Sequence, residues 1–316
     1  MLQPQDLRSI RLTQRPRGQQ VLKDAFVRPS WWLRGVRIEV DGLDRLAECG
    51  PALIAMNHTD RYNYWGFQVA LAQNLDQYTS CWVKGKYYDR WLGRTFMHSM
   101  SNIPIASRGY LIATAFQETV GRPPSASEYR QLRNLVDRAG NTELDSELRQ
   151  RLVQPPKDWA QRIEDLFAAH SHEVVRLTGE ALTVGLQVLV FPEGTRSVRL
   201  TRGRIGIAEI ANHYRVPVIP VGCSGSHRVY PGNSPWPRPG TIRYRVGRPL
   251  HPDDPDLASF AVAPGFTPFA HQTRMDHGPK LQGFVDTLMD RIAQLVDADH
   301  TPETAANGGA DVGRFI

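Results

Sequence analysis

Short apolar runs at residues 52–56, 187–190 and 216–222 are too brief for helices and end in polar or glycine-containing loops. That pattern predicts strands buried on both faces of a sheet. Residues 36–40 (Val-Arg-Ile-Glu-Val) and 241–246 alternate apolar with polar positions and predict strands with one wetter face, the first turned by Asp41-Gly42. Residues 80–84 add another, and residues 103–109 a short one that ends on Arg108 and Gly109. Helical spacing separates them. Residues 61–74 place Tyr64, Phe67, Val69, Ala70 and Leu71 on a packed face, residues 205–212 form a short helix, and residues 280–298 carry Leu281, Phe284, Leu288, Ile292 and Leu295 near one stripe. A mostly helical stretch, broken at Gly121-Arg122-Pro123-Pro124 and Pro155-Pro156, fills about 110–180.

Strands alternating with helices predict an α/β fold: a central, mostly parallel sheet flanked by helices, with the 110–180 stretch inserted as a helical subdomain on the sheet. Residues 1–30 lack a sustained period and are expected to be a loosely ordered lead-in. Residues 31–298 form the main domain, and residues 299–316 a flexible tail.

The 316-residue chain can bury a full core, and 41% hydrophobic with 22% charged residues is ordinary globular composition. A formal charge of +6 points to anionic partners such as phosphates, an acyl carrier protein or an anionic lipid surface. Cys49, Cys81 and Cys223 are odd in number and widely spaced, which argues against a disulfide framework or a zinc knuckle and for a reducing cytosol. No apolar run approaches the roughly 20 residues that span a bilayer. The expectation is a cytoplasmic chain, peripheral on the inner face of the membrane. Trp31-Trp32 beside Arg28, Arg34 and Arg37 reads either as an interfacial anchor or as a packing lid.

Two polar loops follow buried runs. Asn57-His58-Thr59-Asp60-Arg61-Tyr62-Asn63 offers His58 as a general base, with Asn63 or Asp60 to fix its tautomer. Asp60 also reads as a helix N-cap. Phe191-Pro192-Glu193-Gly194-Thr195-Arg196-Ser197 offers a carboxylate for a hydroxyl, a glycine for close backbone approach and an arginine for phosphate. Arg108, Lys84 and Lys86 lie at the ends of other strands and would add positive potential. Ligands in open α/β sheets sit at such strand ends.

These residues resemble the glycerolipid acyltransferase family, the lysophosphatidic acid acyltransferase-like (PlsC-like) enzymes. Asn57-His58 resembles the start of the family's His-x-x-x-x-Asp first motif, and residues 103–109 its second, with Arg108 in the arginine position. Residues 191–197 match the third motif and residues 216–221 the fourth, a Val-Pro-x-x-Pro-Val strand, all in the family's order.

The resemblance implies transfer of a fatty acyl group from acyl-CoA or acyl-ACP to a hydroxyl of a glycerol phosphate or lysophospholipid. His58 would be the base. Arg108 and Arg196 would hold the acceptor phosphate, and Glu193, Gly194, Thr195 and Lys84 would complete the substrate site. No metal or redox cofactor and no nucleic acid is implied; the partners would be the acyl donor, the lipid acceptor and the membrane surface. Asn63 departs from the pattern, standing where the family has aspartate. Asn63 orients His58 in a rearranged site, Asp60 takes over, or the chain is a weak or silent relative that binds lipid or carrier. A further alternative is an amine or other non-glycerolipid acceptor, which needs less help from a base.

Overall fold

The computed structural model describes residues 2–138, 142–152 and 154–301. Seven strands form one sheet: β1 (Val36–Asp41), β2 (Leu53–Met56), β3 (Thr79–Lys84), β4 (Ile103–Ile105), β5 (Gln187–Val190), β6 (Val218–Ser224) and β7 (Gly240–Val246). Their order is β1-β7-β6-β2-β5-β3-β4. The five strands from β6 to β4 are mutually parallel, whereas β7 pairs antiparallel with β6 and carries β1 parallel to itself. The predicted α/β architecture with a mostly parallel sheet is therefore the one observed.

Strand periodicity sorts the core into two layers. From β2, Leu53 and Ala55 join one buried cluster with Val188, Val190 and Val218, while Ile54 and Met56 join the other with Leu189, Ile219 and Val221. Strands that bury both faces read as unbroken apolar runs, which is why the central ones were legible. The first layer is closed by the helices Arg108–Val120, Pro156–Thr183, Gly206–Tyr214 and His271–Ala293, all of which bury residues in it. Trp65–Asn74 helps close the second.

The β2–β5 pair is fastened where it begins. The Gln187 side chain accepts from the Ala52 amide at 2.9 Å and donates to the Gly50 carbonyl at 3.0 Å and to Gln77 Oε1 at 3.1 Å.

Several expectations are corrected. The lead-in expected at 1–30 is packed from residue 2 onward: Leu2, Leu7, Ile10 and Leu12 belong to the core, and buried Gln19 donates to the Thr79 and Met100 carbonyls at 2.6 and 2.7 Å. The chain there is helical from Arg17 through Arg34, with a π-helical turn at Lys23–Val27. Pro29 explains the turn, because a helical proline donates no hydrogen bond and its ring collides with the carbonyl four residues back. The Trp pair divides: Trp31 is core, donating to the Tyr230 hydroxyl at 2.7 Å, and Trp32 is 86% exposed.

The helix expected from residue 61 begins at Trp65, because residues 57–64 are spent in the loop. The last helix runs His271–Ala293 with Pro279 inside it, and the chain then turns back against the sheet. His300 is fully buried, so the expected tail boundary at 299 falls in packed chain; residues 302–316 lie outside the described part.

Gly222 marks the place where this returning segment docks. A Cβ there would sit 2.5 Å from the Leu295 carbonyl oxygen and 2.6 Å from its carbon, a collision with backbone that no rotamer relieves. Gly222→Ala is expected to destabilise the protein by about 1–3 kcal/mol, the usual range for overpacking. An unchanged Tm by calorimetry would show that the segment does not bear on β6.

Candidate active site

Because β2, β3, β4, β5 and β6 are parallel, their carboxyl ends emerge at one edge of the sheet. His58 follows β2, Lys84 ends β3, Arg108 follows β4, and the 191–197 loop follows β5. β2 and β5 are neighbours, so the two signature loops lie side by side.

Glu193 joins them. Its Oε1 accepts from the His58 amide at 2.9 Å, and its Oε2 accepts from the Thr201 amide at 2.8 Å and the Thr201 hydroxyl at 2.9 Å. The Ser197 amide returns a bond to the His58 carbonyl at 2.8 Å. The carboxylate is 2% exposed, and burial raises its pKa against the pull of these donors. This corrects the expectation that it binds a substrate hydroxyl: its oxygens are engaged inside the protein. Gly194 turns the loop at φ +69°, in the left-handed region, where a Cβ would also meet Arg204 Nε at 2.8 Å.

His58 Nδ1 lies 3.2 Å from Asn63 Oδ1. The Asn63 Nδ2 donates to the Asn57 carbonyl at 2.7 Å. A carbonyl oxygen can only accept, so the amide cannot be flipped, and its Oδ1 must face the imidazole. That oxygen in turn can only accept. The proton therefore resides on Nδ1, and Nε2 keeps its lone pair. Asn57 is itself anchored, donating to the Cys223 carbonyl at 3.0 Å and accepting from the Cys223 amide at 2.7 Å. Phe191 stacks on the imidazole, with centroids 4.0 Å apart and planes inclined by 17°.

Asp60 does not meet the ring. Its Oδ1 accepts from the Tyr62 amide at 2.8 Å and its Oδ2 from the Thr59 hydroxyl at 2.9 Å, so it shapes the loop as an Asx-turn. It is not the helix N-cap, since that helix starts at Trp65.

The surroundings of His58 are positive. Burial lowers its pKa to about 4, the Asn63 hydrogen bond works upward, and the charges of Arg196 and Lys84 depress it further. Arg196 and Lys84 are exposed, and Arg196 makes a long 3.4 Å contact to Asn233 Oδ1. Thr195 is exposed beside Arg196. Arg61 donates to the Tyr87 hydroxyl at 3.3 Å, and Arg61 and Lys86 both sit over the Tyr87 ring. Burial works upward on Tyr87, but these cations outweigh it and hold the phenol below its ordinary pKa.

Arg108 is placed differently from its expected role. Its guanidinium makes a bidentate pair with Glu164 at 2.7 and 3.0 Å and lies 3.8 Å from the Phe167 ring centroid, and the residue is 7% exposed. Its charge is spent on the Pro156–Thr183 helix. Sequence reading missed the structural work of Asn57, Phe191 and Thr201. The first two lie inside the quoted motifs, but nothing local signals Thr201.

No family model matches the chain. It is 29% identical over 125 residues to the 1-acyl-sn-glycerol-3-phosphate acyltransferase of Cocos nucifera, which is 39% of this chain and 40% of that protein. The chain thus spans less than half the length of this curated relative. Among solved structures it is similar to the lysophosphatidic acid acyltransferase PlsC of Thermotoga maritima, with a TM-score of 0.41 and 14% identity over 86% of this chain and 80% of that one.

The bridging carboxylate is open to test. In Glu193→Gln the amide NH2 must face either the His58 amide or the Thr201 donors, which leaves a buried donor opposite a donor. A loss of about 1–3 kcal/mol is expected, read as a lower midpoint of urea unfolding. A wild-type midpoint would mean that the two loops are held together by other contacts.

Proposed function

We propose that the protein is an acyltransferase that moves a fatty acyl group from acyl-CoA or acyl-ACP to a hydroxyl of a lysophospholipid or glycerol-phosphate-type acceptor. The observation that carries this reading is the imidazole of His58, held with Nδ1 protonated and Nε2 available, beside the exposed cations Arg196 and Lys84. The ordered motifs and the similarity to the coconut acyltransferase support the same reading.

In this mechanism Arg196 and Lys84 hold the acceptor phosphate, Arg196 through its planar fork. His58 Nε2 takes the proton of the acceptor hydroxyl as its oxygen attacks the thioester carbonyl. The tetrahedral intermediate collapses, the C–S bond breaks, and the imidazolium returns the proton to the leaving thiolate. No covalent acyl-enzyme is formed. Asn63 fixes the tautomer, Glu193 and Gly194 hold the loop in shape, and Arg108 braces the Pro156–Thr183 helix through Glu164. Among the described residues no helix is long and apolar enough to cross a membrane; a peripheral association is proposed, through which a lipid acceptor would be reached.

A second reading has its own support. A neutral amide stabilises a developing imidazolium less than a carboxylate does, and a pKa of about 4 makes His58 a weak base. An acceptor amine that is already nucleophilic would tolerate both. Competition between lysophosphatidic acid and candidate amines for a labelled acyl donor separates the two acceptor classes.

His58→Ala should abolish transfer of a labelled acyl group in a panel of acyl-CoA and acyl-ACP donors against both acceptor classes. Full transfer by that variant would end the general-base assignment, and absence of transfer by the wild-type protein across the panel would point to a silent binding relative.

The pH profile gives an independent check. A base with a depressed pKa stays neutral, hence active, to lower pH, so the acid limb of kcat/KM should fall near pH 4 and not near 6.5. Arg196→Gln removes a charge that lowers this pKa, so the limb should move upward while KM for an anionic acceptor rises. A limb that does not move would show that Arg196 acts at a distance from the base.

A further inference from the structure

We propose that His227, Asp299 and His300 form a binding site for a divalent transition-metal cation of the zinc class. One ligand atom from each lies within 4.8 Å of the other two. The three come from separate parts of the chain. His227 is in the short helix Ser226–Val229 just beyond β6, and Asp299 and His300 are in the segment that returns after the last helix.

Two features mark the cluster as more than a chance grouping. His300 is fully buried, and its Nδ1 contacts the Val198 carbonyl at 2.6 Å. A carbonyl only accepts, so Nδ1 carries the proton and Nε2 presents its lone pair inward. That Nε2 is buried without a hydrogen-bond partner among the described residues, and so is Nδ1 of His227. Two orphaned ring nitrogens, on rings whose centroids lie 4.9 Å apart, carry a desolvation cost that a cation would relieve. A backbone carbonyl holding the far nitrogen of a ring is also the usual outer support of a metal-ligating histidine.

The third group is a carboxylate already aimed at the same spot. Asp299 Oδ1 lies 3.6 Å from His300 Nε2, too far for a good hydrogen bond, while its Oδ2 accepts from Arg228 at 3.1 Å. Two imidazoles and one carboxylate suit zinc or a neighbouring transition metal, not magnesium or calcium, which prefer an all-oxygen shell. Ligand atoms on a tetrahedral zinc stand about 3.3 Å apart, given bond lengths near 2.0–2.2 Å. His227 and Asp299 are partly exposed and can close the remaining gap by side-chain rotation. Three protein ligands leave a position for water.

The site would act as a clamp. The His300 carbonyl accepts from the Leu200 amide at 2.9 Å, so the returning segment is joined to residues 198–200, and the next residue, Thr201, holds Glu193. A cation there would fasten the C-terminal segment to the end of β6 and stiffen the support of the active-site loop. The proposal does not depend on the acyltransferase reading.

The test uses the full chain, stripped with a chelator and titrated with Zn2+ alone. One equivalent should bind saturably and raise Tm, since a ligand that binds only the folded state stabilises it. Co2+ should give ligand-field absorption at the same stoichiometry, and Mg2+ should do neither. His300→Ala removes a buried ring and would perturb packing, so the decisive variants are Asp299→Asn and His227→Gln, whose side chains reach solvent. Each should keep a metal-free Tm close to that of the wild type and weaken Zn2+ binding by at least about tenfold. Absence of one-equivalent binding, or binding undiminished in both variants, overturns the proposal.

Discussion

A single carboxylate sets the geometry on which the candidate site depends. Glu193 leaves the end of β5, reaches across to the amide of His58 at the end of β2, and is held from behind by Thr201. Burying an acid costs free energy unless its oxygens are hydrogen-bonded, and here three donors meet that requirement. The result is that the loop carrying His58 and the loop carrying Arg196 keep a fixed relation without either being part of a strand. Gly194 makes this possible, since the chain must enter the left-handed region immediately after Glu193.

The second constraint is the double role of Asn63. Its carbonyl faces His58, and its amide faces the Asn57 carbonyl. A carboxylate at this position would serve the imidazole and set an oxygen against that carbonyl. The asparagine is thus matched to the loop as built, and the arrangement trades stabilisation of an imidazolium for a firmly assigned tautomer. Burial and two nearby cations push the imidazole in the same direction, toward the neutral form.

Much of this was legible in the sequence for a physical reason. Central parallel strands bury both faces, so they appear as short apolar runs, and the residues just after them fall at the functional edge. His58 and Asn63 are close in sequence, and their contact could be anticipated. Contacts that depend on which elements become neighbours could not. Arg108 was expected at the end of its strand, but β4 stops at Ile105 and Arg108 opens the next helix, and its capture by Glu164 depends on how the Pro156–Thr183 helix lies on the sheet. The helical N-terminal region escaped notice because Pro29 and a π-turn disguise its period, and the packed residues 294–300 because they follow the last helix without a pattern of their own.

Gln187 gives the β2–β5 pair a further property. Its amide ties the two strands at their amino ends, while Glu193 ties them at their carboxyl ends. A ladder pinned at both termini resists slippage and hinge bending, so these strands behave as a rigid rail. What can move around His58 is then the exposed side chains beside it, Lys84 and Arg196, and not the strands beneath them.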